Sequence, residues 1–314
     1  MLTPFVKSLR VYRFSKPVDH DAMLEKLMQE CSTFAFTPCT YGQKSRIGFQ
    51  PFMGENFVHV VEGTIFLKIM SESRKVPAKN LRKELNRRIE VQEDQIARKL
   101  TRAEKNALKD TLEGELLEKA FPTESVSVVV IDPRYDMVLV GNATAKQSEN
   151  CLALVRKTLG SLPIVPVSTN QPPQTLMTNW LREGAPRPFI LGEKLAFAGM
   201  REASKARVQY DDLHNVVTEA HLNDGEVVTQ LQLILVETCV FTLHEDFSFT
   251  GMRWDDMIRD QNMDEFDEYA RVDADCLLFI NHARQLIAQL AAQLGGIEKL
   301  VSEGKPEAEA DHDV

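Results

Sequence analysis

Most of the familiar marks of a catalytic protein are missing from this 314-residue chain. There is no G-x-G-x-x-G and no G-x-x-x-x-G-K-[ST], so no nucleotide cradle of a common type is expected. No H-E-x-x-H occurs, none of the seven histidines forms an i, i+4 ligand pair, and no G-x-S-x-G nucleophile elbow is present. The five cysteines (Cys31, Cys39, Cys151, Cys239, Cys276) are odd in number and scattered, which excludes a disulfide framework, and no C-x-x-C spacing points to zinc. They are expected as buried or partly buried thiols in a reducing compartment. No run reaches 18 apolar residues, so no membrane span is expected. The opening Met1-Leu2-Thr3-Pro4-Phe5 lacks the pattern of a signal peptide, which leaves a cytoplasmic location as the expectation. Glycine (15) and proline (14) are too scarce for collagen or a disordered linker protein.

What remains is an ordinary globular composition, 43% hydrophobic and 26% charged, long enough for about two domains. Residues 5–14 read as a strand and 18–30 as a helix. Residues 57–70 read as a hairpin turning at Glu62-Gly63, and 126–141 as a second hairpin opened at Asp132-Pro133. A helix is expected from Ala145 to Leu159, stopped by Gly160, with 162–167 extended. In the second half, 175–183 and 212–222 read as short helices and 226–250 as β-rich runs separated by acidic turns. A long helix is expected over about 274–294, ended by Gly295-Gly296. The tail 302–314 reads as acidic and disordered. The expected class is α+β, with mixed sheet regions and helices plus a projecting helical arm. The expected organisation is a central region (1–73 and 120–167), the arm (74–119), and a second α+β region (168–314).

The arm is the most unusual segment. Pro77 suits a helix start, and Leu81, Leu85, Ile89, Ile96 and Leu100 recur at helical spacing. Thr101-Arg-Ala-Glu104 matches a capping box, and Leu108, Leu112 and Leu116 form a second stripe ended by Pro122. Neither apolar face is broad. The segment is either a hairpin of two helices, roughly 35 Å and about 25 Å long, or one helix bent at Thr101.

Charge is distributed unevenly. The chain has 37 basic and 46 acidic residues, a net of −9. Residues 74–109 hold twelve basic against five acidic residues, a net of +7, which leaves −16 elsewhere. Residues 245–275 alone hold eleven acids against three arginines. Long cations on a rod suit phosphates spaced along a line, and neutralising them releases counterions. The candidate phosphate contacts are Arg82, Lys83, Arg87, Arg98, Lys99, Arg102, Lys105 and Lys109, with Lys7, Arg13 and Lys146 as further candidates on the sheet. The alternative is a solvated helix face laced with Glu–Lys and Glu–Arg pairs. Phe121 either closes the second arm helix against the sheet or makes an apolar contact between subunits. Two rival functions stay open. In one, the arm docks an acidic protein partner. In the other, a metal-dependent nuclease uses acidic clusters such as Asp255-Asp256 and Asp264-Glu265.

Several short strings, in order and in register, carry a resemblance. They are Phe5-Val6-Lys7-Ser8-Leu9 with Val11-Tyr12-Arg13, then Ala35-Phe36-Thr37-Pro38-Cys39 and Pro51-Phe52-Met53-Gly54. The arm adds Gln95-Ile96-Ala97-Arg98-Lys99-Leu100, and Leu152-Ala153-Leu154-Val155-Arg156-Lys157 and Arg259-Asp260-Gln261-Asn262 follow. Together they make the chain resemble the RdgC family, the recombination-associated proteins of proteobacteria. The resemblance implies a ring-shaped homodimer closed by two contacts, one of them between finger-like arms. It implies a basic central hole that encircles duplex DNA, binding of double- and single-stranded DNA without sequence preference, antagonism of RecA on DNA, and association with the nucleoid. It implies no enzyme activity and no cofactor. Phe121 falls where the family carries a finger-contact phenylalanine.

Overall fold

The protein is described from a computed structural model that covers residues 5–40, 42–199, 205–209, 213–262, 265 and 267–298; the side chain of Lys205 is outside the description. In chain order the elements are β1 (Leu9–Phe14), α1 (His20–Glu30), β2 (Ser45–Gln50), β3 (Val58–Val61) and β4 (Thr64–Ser73). The arm helices α2 (Ala78–Ile96) and α3 (Arg102–Lys119) follow, then β5 (Thr123–Asp132), β6 (Met137–Gly141), α4 (Ala145–Leu159) and β7 (Ile164–Pro166). The second half holds α5 (Pro173–Glu183), β8 (Phe189–Ala198), β9 (Lys205–Gln209), α6 (Val216–Asn223), β10 (Val227–Leu235), β11 (Cys239–His244), β12 (Phe249–Trp254), α7 (Asp256–Arg259) and α8 (Glu268–Gln293).

Among the described residues all twelve strands belong to one sheet, ordered β2-β4-β5-β6-β1-β12-β11-β10-β8-β9, with β3 beside β4 and β7 beside β1. Mixed sheet regions were expected, yet every pairing between named strands is antiparallel. The cause is local: hairpins join β3–β4, β5–β6, β10–β11 and β11–β12, and a hairpin permits only that direction. Glu62 and Gly63 both have positive φ, as a tight hairpin turn requires. The strands β8 and β9 were not read from the sequence. Their outward faces carry Glu193, Lys194, Arg207 and Gln209 around Gly192, which breaks the apolar alternation.

The two faces of the sheet are covered differently. On one face, Tyr12, Ile65, Leu67, Val129, Val138 and Val140 pack under Met23 and Leu27 of α1 and Leu152 and Val155 of α4. On the other face, Val11, Phe66, Val130 and Leu139 join Leu195, Leu231, Phe241 and Phe249 in a core roofed by α5, α6 and α8. The β1–β12 junction unites the two halves, where Leu9 pairs with Phe249. A buried ion pair adds a second tie. Arg284 of α8 donates to both oxygens of Asp132 (2.7 and 2.9 Å) and to Thr64 Oγ1 (3.0 Å), and its guanidinium lies 4.7 Å from the Tyr135 ring centre. The helix α8 begins at Glu268, earlier than expected, because Asp267 caps it by accepting from the Tyr269 N–H. All five cysteines are buried and unpaired, and burial pushes the Cys31 and Cys239 thiols up to about 12.

The arm is an insertion in a hairpin. Ser73 at the end of β4 pairs with Thr123 at the start of β5, so the chain leaves and re-enters the sheet at one point. Between them stand two helices of 19 and 18 residues, roughly 28 and 27 Å long at 1.5 Å per residue. The alternative of one bent helix is settled in favour of two. Ala97 turns left-handed at φ 54°, and Thr101 opens α3 with the full capping box. Leu112 is completely buried, and Leu100 and Leu117 nearly so, in the narrow seam between the helices.

Candidate nucleic-acid interface

The arm's cations divide into two sets. At the tip, Glu93 is nine-tenths buried and accepts from Lys99 Nζ (2.7 Å) and from the Leu100 N–H (3.0 Å); Lys105 Nζ stands 3.4 Å away. Glu104 accepts two bonds from Arg98 (2.6 and 3.0 Å) and one from the Thr101 N–H (2.8 Å). Along α2, Glu84 holds Arg87 and Arg88, and Arg88 reaches across to Glu115 of α3 at 2.6 Å. The lysine and arginine partners, together with the N–H donors, pull the carboxyls of Glu84, Glu93 and Glu104 down to about 2. Four of the eight candidate contacts, Arg87, Arg98, Lys99 and Lys105, are therefore already ion-paired with the arm's own glutamates, Lys99 and Lys105 sharing Glu93. The other four differ. Arg82, Lys83, Arg102 and Lys109 are exposed and form no ion pair among the described residues. Charge counting missed this division, although the capping-box spacing that ties Glu104 to the tip was legible.

Phe121 is 92% exposed. It does not close α3 against the sheet, because α3 ends at Lys119 and Ala120 turns the chain into extended backbone leading to β5. The end of the arm in sequence is its root in space, so Phe121 stands beside the sheet and away from the tip.

A second cationic surface lies on the sheet. The face covered by α1 and α4 in the first half is bare of helices over β8–β12 among the described residues. It displays Gln230, Thr242, His244 and Thr250. Three adjoining clefts of about 740, 610 and 300 Å³ follow this face past the start of α4. Lys7, Lys146, Lys194 and Arg207 line them with no ion pair among the described residues. Arg10 is paired with Asp246 at 2.9 Å, and burial holds His244 below the usual imidazole range, so neither adds free charge at neutral pH. Lys7 and Lys146 of the further candidates thus lie in this trough, whereas Arg13 is half-buried on β1 outside it. Sequence reasoning missed Lys194 and Arg207 because it did not recognise β8 and β9.

No group of three or more His, Cys, Asp or Glu side chains able to hold a metal occurs among the described residues. Asp264, one of the residues named for a nuclease, lies outside them. No helix among the described residues is long and apolar enough to cross a membrane.

The chain matches the family model described as "Putative exonuclease, RdgC" over residues 5–297. It is similar to the recombination-associated protein RdgC of Sodalis glossinidius, with 33% identity over 92% of this chain and 97% of the relative. The proteins of the same name from Tolumonas auensis (33%, covering 92% and 98%) and Serratia proteamaculans (34%, covering 92% and 97%) are similar to the same extent.

Proposed function

Starting from the fact that the chain belongs to the RdgC family of recombination-associated proteins, we propose that it binds DNA without sequence preference, encircles duplex DNA as a ring-shaped homodimer, and limits RecA-promoted recombination. The observation that carries this reading is the concentration of unpaired cations on the arm and in the trough of a chain whose remaining surface is acidic. An acidic exterior repels DNA and leaves those two surfaces as its landing places. Arg82, Lys83, Arg102 and Lys109 contact phosphates from the arm, with Lys7, Lys146, Lys194 and Arg207 contributing from the sheet. Arg87, Arg98, Lys99 and Lys105 shape the arm. The sequence carries no recognition-helix or zinc-finger signature for base readout, so affinity follows phosphate density and salt.

Phe121 supplies an apolar contact between subunits at the arm's root. Burying one phenylalanine is worth roughly 1.5–3 kcal/mol, and a twofold axis counts it twice. The protein acts in the nucleoid, by occupying DNA that RecA would otherwise use.

The test has three parts. Affinity is measured for several unrelated duplexes across a salt series, RecA-driven strand exchange is followed with increasing protein, and mass is measured by light scattering for the wild type and Phe121→Ser. Equal affinities with a steep salt slope, inhibition that tracks occupancy, and a dimer weakened by the substitution are expected. Magnesium-dependent shortening of linear DNA by the purified chain would instead favour the exonuclease named in the family description.

A further inference from the structure

One cation of the trough is paired in a different way from those at the arm's tip. Arg10 shares a face of β1 with Tyr12, beside the start of α4, and lines two of the three adjoining clefts. Its Nη1 donates to Asp246 Oδ2 at 2.9 Å. Its Nε and Nη2 make no hydrogen bond among the described residues and are open to solvent. Asp246 sits in the turn between β11 and β12, where Phe247 is left-handed at φ 54°. Its other oxygen, Oδ1, accepts from the Ser248 N–H at 3.2 Å and from the Ser248 hydroxyl. The Asp246 side chain is 50% exposed, against 23% for Arg10. If Arg10 turns away, Asp246 keeps both Ser248 bonds and takes water in place of the guanidinium. Glu93 at the arm's tip has no such freedom. It is nine-tenths buried, and without its lysines it would be a desolvated carboxylate held by the Leu100 N–H.

We propose that Arg10 is a phosphate contact held in reserve, and that Asp246 is its built-in counterion, which a DNA phosphate displaces. The inference rests on the reading of the trough as a DNA surface. A phosphate offers oxygens to Nε and Nη2 together, whereas Asp246 engages Nη1 alone, and a guanidinium is the cation best suited to such paired acceptors. A solvent-exposed pair is weak enough to exchange. Lys7 lines one of the same clefts and Lys146 the other, neither with an ion pair among the described residues, so phosphates are drawn to this place. The exchange has an electrostatic cost. Arg10 and Asp246 together carry no net charge, and the uncovered carboxylate stays beside the phosphate that replaced it. Asp246 therefore lowers the affinity of the trough for DNA, and it does so through Arg10.

The test measures duplex affinity on the full chain across a salt series for the wild type, Asp246→Asn, Arg10→Gln and the double variant. Asparagine keeps an oxygen for the two Ser248 donors, so the turn is retained. Asp246→Asn is expected to tighten binding about threefold or more and to steepen the slope of log K against log[salt] by up to about 0.9. With Arg10 already replaced by glutamine, the same substitution is expected to tighten binding less than about twofold, the remainder being screened repulsion. Three results would overturn the proposal. Unchanged affinity in Asp246→Asn would mean that Asp246 does not compete with DNA. An equal gain in both backgrounds would mean that Asp246 repels DNA directly and that Arg10 takes no phosphate. Either result leaves the DNA reading of the trough standing. Absence of duplex binding by the wild type would remove that reading and this inference together.

Discussion

The sheet and the arm that grows from it use charge in opposite ways. In the sheet, one ion pair is buried: Arg284 and Asp132 face each other at 2.7 Å with almost no exposure, in a setting of large apolar cores. In the arm the apolar seam is thin, and ion pairs open to solvent on at least one side span it and tie its tip. A buried pair is costly to break and does not exchange with outside ligands, because each partner would be left desolvated. An exposed pair contributes little by itself. It does, however, decide whether a cation is free to neutralise a phosphate, since a lysine already held by a carboxylate releases no counterion when DNA arrives. A segment's net charge therefore overstates its binding capacity, and the pairing pattern corrects it.

This contrast can be broken at several points. Arg284→Ala leaves Asp132 unpaired in the core and is expected to lower global stability by about 3–5 kcal/mol in urea unfolding, with the salt slope of DNA binding unchanged. An equal loss of slope would mean that the two regions are not energetically separate. Leu112→Ala opens the fully buried seam and is expected to cost about 2–5 kcal/mol. The loss should appear as hydrogen exchange confined to α2 and α3. Glu93→Gln frees Lys99 and Lys105, and trypsin should then cut near the tip severalfold faster while the sheet stays protected.

The pH dependence has a definite sign. The carboxyls of Glu84, Glu93 and Glu104 are held at about 2, below their ordinary 4.5. Their contribution is complete above pH 4.5 and is lost as pH falls towards 2. Protection factors at residues 97–101, with the intrinsic pH dependence of amide exchange divided out, should fall across that window and stay flat from pH 5 to 7. A change near neutrality would point to a different titrating group.

Local chemistry was legible in the sequence where it acts within a few residues. The Glu62-Gly63 turn, the Gly160 stop of α4 and the Thr101–Glu104 box all stand where they were expected, because each is a short-range steric or hydrogen-bonding requirement. The single sheet was not legible. Its joining contact, Leu9 with Phe249, is a meeting of residues 240 positions apart that periodicity does not encode. The candidate site was half legible. The arm and its cations could be read from charge, but Glu93 could not be seen as the anchor of Lys99, because that bond depends on the left-handed turn at Ala97. Lys194 and Arg207 were hidden by strands whose open faces are polar.

The central claim is that unpaired cations, and not merely numerous ones, make the DNA surface. Duplex affinity against salt would be compared for the wild type, for Arg82→Ala/Lys83→Ala/Arg102→Ala, and for Arg87→Ala/Arg98→Ala/Lys99→Ala. At about 0.9 per phosphate contact, the first variant should lose roughly 2.7 from the slope of log K against log[salt], and the second should lose much less. Equal losses, or a larger loss from the second variant, would contradict the account.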